Sequence, residues 1–340
     1  MGSLAGQTAR VPTLARLTMD SFTRLPRRSV STQVSPGPIP NLFIVGAPKC
    51  GTTSLYEYLR QHPQIFFPFD EEGYSRIKEP NHFCPELEIL ERDAVTDPDE
   101  YLGLYHGSEG ATWRGDASTN HLFSARAAEK IKQFCPDARI LVMLRPPVAW
   151  MRSYHNELLR HHHEDIVDFY EAVQASDDRR RGLRLPPDTS VPKCLDYLAM
   201  SRFAAQVERY YGVFGRDAVK VVLLEDMVAS PEQTYREILD FLDVDSEFRP
   251  EFRIHNETPR HGRLERLVTF VYKRLGVKHV VQLFLPYAAR RKFLSFIRRK
   301  DVDKAAPDPR DAQLREQCAP DVERLSVLIG RDLGHWQSGF

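Results

Sequence analysis

The sequence predicts an α/β fold built on a central parallel sheet, and three stretches carry that prediction. Asn41–Leu59, Arg139–Arg160 and Val219–Leu242 each pass from a short apolar, β-branched run into a helical repeat. Strand-to-helix units repeated along 340 residues describe parallel strands joined by helices.

In the first unit Leu42–Val45 reads as a buried strand, Gly46–Gly51 as a glycine-bounded loop, and the residues from Thr52 onward as a helix. Leu55, Tyr58 and Leu59 recur there at helical spacing. A loop entering a helix leaves backbone N–H groups unpaired at the positive end of the helix dipole, where a phosphate is the natural guest. Nucleoside-triphosphatase loops follow G-x-x-x-x-G-K-[ST], with lysine directly after the second glycine. Here Thr52 follows Gly51, and the one lysine of the loop, Lys49, lies inside it. Such a lysine meets the phosphate from another side and need not serve a magnesium triphosphate. Cys50, Gly51, Thr52, Thr53 and Ser54 are the candidates to surround the anion, Cys50 through its backbone N–H. Beside Lys49, the Cys50 thiol is also a candidate for a lowered pKa.

The second unit places a strand over Arg139–Arg145, then Pro146 and Pro147, then a helix from about Val148 to Arg160. Arg145 thus stands at the carboxyl end of a strand, where open α/β sheets bind ligands. Ser153 follows eight residues later. A guanidinium forks onto a phosphate, and a serine hydroxyl adds a donor. Taken alone, Arg145 reads as a surface salt bridge; in order after the first loop it reads as a second anion contact.

Two polar segments lie between these units. Lys78-Glu-Pro-Asn-His-Phe83 offers Glu79 as a proton acceptor, with Lys78 as its electrostatic neighbour and His82 beside them. The bland reading is an exposed Lys-Glu pair in a turn before Pro80. Gly115–His121 offers Ser118 as an acceptor contact and His121 as the fallback base. Later, Asp177–Pro192 reads as a mobile loop carrying Arg179, Arg180 and Arg181, and Leu195–Phe214 as one helix. Val219–Glu225 is a strand leading to Asp226. Ser230, Pro231 and Gln233 form a capping box ahead of the stripe Tyr235, Ile238, Leu239 and Leu242.

Taken together, P-K-x-G-T-T-S at Pro48–Ser54, strand-Arg-(x)7-Ser at Arg145 and Ser153, and Lys78-Glu79-Pro80 resemble the sulfotransferases that use 3′-phosphoadenosine 5′-phosphosulfate (PAPS). The carbohydrate, heparan-type enzymes are the nearest in motif, and the resemblance spans about residues 41–255. It implies a P-loop, nucleotide-kinase-like three-layer sandwich with a central parallel sheet. It further implies PAPS as co-substrate and no metal. The 5′-phosphosulfate then lies in the Gly46–Ser54 loop and the 3′-phosphate on Arg145 and Ser153, with Glu79 as base. Arg260 and Arg263 fall where the family has a late basic loop near the nucleotide. This chain departs from the pattern at His82 and His121, which stand in aromatic positions. The implied acceptor is a hydroxyl, or an amine, of a carbohydrate or other small molecule. The rival readings are a P-loop ATPase or small-molecule kinase, and a nucleotide-binding protein without catalysis.

Lys and Arg balance Asp and Glu at 47 each, so no whole-chain basic field points to nucleic acid. Arg290, Arg291, Lys292, Arg298, Arg299 and Lys300 cluster late in the chain. They read as the solvated face of an amphipathic helix, with an acidic lipid surface or anionic acceptor as the alternative. The five cysteines show no C-x-x-C spacing, so a reducing compartment is the default. His161–Glu164 reads as a solvated helix end rather than a metal motif. Residues 1–38 hold Arg10, Arg16, Arg24, Arg27 and Arg28 against Asp20, fitting a transit peptide, a docking helix or a disordered arm. No apolar run reaches transmembrane length; Val280–Leu285 is the best late candidate and contains Gln282. The expectation is a cytoplasmic enzyme, with an organelle lumen as the alternative. Its catalytic domain would span 39–260, and a helical extension over 261–340 would pack on it.

Overall fold

The computed structural model describes residues 38–69, 77–89, 94–161, 163–187, 189–253 and 308–338. Arg260, Arg263, His162, the run Val280–Leu285, the Arg290–Lys300 cluster and residues 1–37 lie outside the described residues.

The first unit folds as its pattern requires. β1 (Leu42–Gly46) is buried along its whole length, and α1 (Thr52–Leu59) follows the loop. β2 (Ile65–Phe66), α2 (Pro98–Gly103), β3 (Trp113–Asp116) and α3 (Ala127–Phe134) come next. The second unit is β4 (Arg139–Leu144) followed by α4 (Pro147–Arg160). The middle region holds α5 (Phe169–Gln174), α6 (Ser176–Arg180), α7 (Tyr197–Met200) and α8 (Phe203–Phe214). The last strand unit is β5 (Val219–Leu223), α9 (Leu224–Ala229) and α10 (Pro231–Phe241), and the described chain closes with α11 (Pro309–Ile329) and α12 (His335–Ser338).

The five strands are all parallel, in the order β2-β3-β1-β4-β5. Leu42 is in register with Gly115 on one side and Arg139 on the other, and Ile140–Leu144 pair in step with Val219–Leu223. This is the expected fold class, a parallel sheet flanked by helices. The chain builds β2 and β3 on one side of β1, then crosses to place β4 and β5 on the other. The loops leaving the carboxyl ends of β1 and β4 therefore emerge side by side, next to the topological switch where such sheets hold their ligands.

Several local expectations are corrected. β4 stops at Leu144, so Arg145 stands just outside the strand and Pro147 opens the helix. β5 stops at Leu223, and Glu225 and Asp226 lie in α9. The single helix expected over Leu195–Phe214 is interrupted: Asp196 caps the short α7 by accepting the Ala199 N–H (3.0 Å), and α8 starts afresh at Phe203. Ser230 precedes α10 as expected, but its side chain accepts no capping bond, and Gln233 turns instead to Glu237 (3.0 Å). The expected loop at Asp177–Pro192 begins as helix α6, and its Arg179 is fully buried. Leu314, Cys318, Val322 and Leu325 of α11 form a buried stripe at helical spacing. That helix is tied back by Arg152 to Asp311 (2.5 Å) and by the Ala204 N–H to Asp321 (3.1 Å).

Candidate active site

The loop after β1 is shaped by its glycines. Gly51 has φ +84°, and a Cβ there would lie 2.7 Å from Leu224 Cδ1. A Cβ on Gly46 would run into the Thr119 carbonyl. Lys49 itself sits at φ +63°. Two donors from the β4–α4 unit hold the loop's carbonyls: Trp150 Nε1 reaches Pro48 O (2.7 Å) and Arg145 Nη1 reaches Lys49 O (3.2 Å). The helical ladder of α1 begins at Leu55, which donates to Gly51 O (3.1 Å). The N–H groups of residues 52–54 thus stand outside it, at the positive end of the dipole.

One cavity of about 690 Å³ gathers Lys49, Gly51–Ser54, Glu79, Arg145 and Glu157. Arg145 is partly buried, its Nε has no partner among the described residues, and burial lowers its pKa. The Ser153 Oγ is likewise buried and without a partner. Arg145 lines the cavity, where an anion would meet its guanidinium. Ser153 is not among the cavity's lining residues.

Lys49 Nζ lies 3.1 Å from Glu157 Oε2 on α4. Burial alone would raise the Glu157 carboxyl. Hydrogen bonds from His161 and Arg160 and the charge of Lys49 outweigh it and hold the group well below the usual carboxylate range. Glu79 is fixed through both oxygens: Lys78 Nζ donates to Oε1 (2.7 Å) and Thr119 Oγ1 to Oε2 (2.8 Å). Lys78 is almost wholly buried and lies over the Tyr56 ring (5.8 Å), so the pair is a built feature and not a solvated turn. Asn81 secures the segment by donating its side-chain amide to Glu79 O (2.9 Å).

Several expected contacts, Lys78 among them, are not brought to the cavity lining. His121 is fully buried; its Nε2 accepts the Phe83 N–H (3.4 Å), and burial lowers its pKa, keeping it a neutral packing group. His82 stacks on Tyr101 (4.2 Å) and bonds Val95 O (2.8 Å). Ser118 is buried beneath the site and accepts the Asn81 N–H (2.9 Å), so it holds the Glu79 segment from behind. Cys50 is buried as well: its N–H bonds Ala47 O (3.3 Å), and burial pushes its thiol up, opposite to the expected direction. The charge anticipated on the solvated end of α4 is also relocated, because Glu164 is buried against Arg179.

Glu157, Tyr154, Thr119 and Asn120 line the cavity without having been singled out in the sequence. For Glu157 a signal exists, since it lies one helical turn beyond Ser153 on α4. Its pairing with Lys49 depends on the crossing of two units and leaves no local trace.

The kinase alternative needs an acid free to serve a metal after a strand. Asp226 is instead paired to Arg331 (3.0 and 3.2 Å), and Glu225 accepts from Trp336 Nε1 (2.6 Å). A parallel sheet with a lysine-bearing, glycine-shaped loop after its central strand, and an arginine after the neighbouring strand, defines a P-loop-type α/β protein. Its loop is not that of the magnesium triphosphatases. The sulfotransferase family model matches residues 40–248, and the chain belongs to that family. It is similar to carbohydrate sulfotransferase 15 of Homo sapiens, 25% identical over 257 residues that cover 61% of this chain and 44% of that protein. It is also similar to the bifunctional heparan sulfate N-deacetylase/N-sulfotransferase 4 of Mus musculus, 24% identical over 215 residues, 61% of this chain and 22% of that protein. The chain thus spans less than half the length of these relatives. Among solved structures, a sulfotransferase from Alicyclobacillus acidocaldarius superposes with TM-score 0.59 at 31% identity, covering 88% of this chain and 99% of that one.

Proposed function

We propose that this chain transfers a sulfuryl group from PAPS to a hydroxyl or amine of a carbohydrate or other small-molecule acceptor. One observation carries the reading: a single cavity places Lys49, the first turn of α1 and the unsatisfied Arg145 together with the anchored carboxylate of Glu79. The names of the similar proteins favour a carbohydrate acceptor.

PAPS supplies an activated sulfuryl group on a phosphate that leaves in line with the attacking acceptor. The N–H groups at residues 51–54 are oriented to hold the 5′-phosphate, and Arg145 with Ser153 the 3′-phosphate. Lys49 provides positive charge where charge grows on the leaving oxygen, which is preorganised electrostatic stabilisation. Glu79 accepts the acceptor's proton; its bonds to Lys78 and Thr119 fix its orientation at the cavity wall. Arg260 and Arg263 complete the proposed nucleotide contacts.

No helix of the described residues is long and apolar enough to cross a membrane. All five cysteines are buried and unpaired, which favours the reducing compartment of the cytoplasm.

Calorimetric titration with 3′-phosphoadenosine 5′-phosphate (PAP), ADP and ATP, without and with magnesium, tests the reading. Selective binding of PAP without a magnesium requirement is expected. Preference for ATP with magnesium would overturn it in favour of a kinase.

A further inference from the structure

The cavity has a second half that the donor does not explain. Besides Lys49 and Glu157 its lining includes His161, His163, Ser190 and Val191, together with Asn81, Thr119 and Asn120. These groups are linked into a surface. Ser190 N–H and Oγ lie 3.3 and 3.4 Å from His163 Nδ1, and Asn120 Nδ2 donates to Asn81 Oδ1 (3.3 Å).

Behind this wall lies a charged clamp with no exposure to solvent. Arg179 forks onto Glu164, Nη1 to Oε2 at 2.7 Å and Nη2 to Oε1 at 2.6 Å, and both side chains are fully buried. Tyr197 donates to Glu164 Oε2 (2.7 Å), and the Asp165 and Ile166 N–H groups donate to Oε1 (2.9 Å each). Arg179 Nη1 also reaches Leu195 O (3.4 Å). The clamp therefore joins the chain just after His163 to the chain just after Val191, the two approaches to the wall. Buried ion pairs contribute little net stability compared with apolar packing of the same volume, but they enforce one geometry. Tyr197 of the clamp packs on α4 through Tyr154 (6.0 Å) and His155 (5.9 Å).

We infer that His161, His163, Ser190 and Val191 line the acceptor subsite, that it takes a neutral, hydroxyl-rich molecule, and that the Glu164–Arg179–Tyr197 clamp positions it. The inference rests on the donor reading above and adds the acceptor class. Among the described lining residues, the fixed charges outside the donor contacts are the carboxylates of Glu79 and Glu157. The nearby cations Lys78 and Arg160 are already paired to them, at 2.7 and 2.6 Å. Among the described lining residues outside the donor contacts, no cation remains unpaired to hold a polyanionic polymer. Amide, imidazole and hydroxyl groups instead match the alternating donors and acceptors of sugar hydroxyls.

The test measures sulfate transfer from PAPS to neutral 4-nitrophenyl disaccharides and to the polyanion heparosan, with PAP calorimetry run alongside. Wild type is expected to prefer the neutral probes. Ser190→Ala at the wall, and Tyr197→Phe in the clamp, should each raise KM for the neutral probe about fivefold, with kcat and PAP affinity within about twofold. The double change Glu164→Gln with Arg179→Met should raise that KM by about tenfold or more while PAP still binds. Preference for heparosan would overturn the acceptor class. An unchanged KM, or PAP affinity falling in parallel with KM, would overturn the positioning role. Wild type that transfers to no probe but binds PAP would sink this inference alone, whereas failure to bind PAP would remove the donor reading beneath it.

Discussion

Arg145→Ala is the sharpest perturbation available, because the structure says what its guanidinium lacks. Nη1 is spent on the Lys49 carbonyl at 3.2 Å, whereas Nε is buried without a partner. In the free protein that unsatisfied donor is a cost, which the lost bond to Lys49 roughly balances. The variant should therefore unfold within about 1 kcal/mol of wild type. With PAP bound, the same guanidinium would give two charge-assisted hydrogen bonds to the 3′-phosphate. At about 1.5–3 kcal/mol each, their loss weakens binding by roughly 3–6 kcal/mol. At about 1.4 kcal/mol per tenfold, that is roughly two to four decades in Kd. ADP carries no 3′-phosphate, so its affinity should change less than about threefold. Arg145→Lys, which restores the charge without the fork, should recover only part of the loss. Calorimetry with both nucleotides reads all of this. Equal weakening of PAP and ADP, or an unaffected PAP affinity, would refute the assignment of Arg145 to the 3′-phosphate.

Lys49→Ala should lower kcat by about two to three decades. Its partner Glu157 is partly exposed, so the pair contributes at most about 1 kcal/mol and melting should barely move. Glu79→Gln keeps the volume but removes the base; a fall in kcat of about two decades or more is expected with PAP affinity intact, and full activity would remove Glu79 from the chemistry. Gly51→Ala forces a side chain at φ +84° against Leu224, and a loss of about 1–3 kcal/mol should appear in urea denaturation. Glu157 titrates in the folded protein below its ordinary value of 4.5. Its ionised form therefore adds stability above pH 4.5, and that contribution is lost as pH falls from there toward the folded value. Urea midpoints from pH 6 down to about pH 3 should fall less steeply in Glu157→Gln than in wild type, and identical slopes would rule the carboxylate out as a source of acid lability.

Much of the fold was legible because its signals are local. The apolar run Leu42–Val45 into a glycine-bounded loop, the strand starting at Arg139 and the stripe Tyr235–Leu242 each report their structure within a dozen or so residues. Errors arose where a local preference met a tertiary partner. Gln233 has the spacing for a capping box, yet Glu237 lies on the same helix face and takes its amide. Arg179 stands in a charged, proline-flanked run that reads as solvated, yet Glu164 and Tyr197 enclose it. His121 carries the chemistry of a base, but Phe83 and Tyr210 pack it away from the cavity.

By itself, then, the sequence determined the fold class, the strand-to-helix units around β1, β4 and β5, and the glycine-bounded loop after β1, whereas β2, α2, β3 and α3 were not read from it. What it determined follows from backbone periodicity and from glycine and lysine at fixed spacing, properties that a short segment carries alone. The tertiary structure alone decided which side chains share a cavity. It set Glu79 against Lys78 and Thr119, parked Lys49 on Glu157, left Arg145 Nε and Ser153 Oγ unsatisfied, and withdrew His121, His82 and Cys50 from the site. Exposure, pairing and pKa depend on groups brought together from distant parts of the chain, and those distances exist only once the sheet has closed its packing.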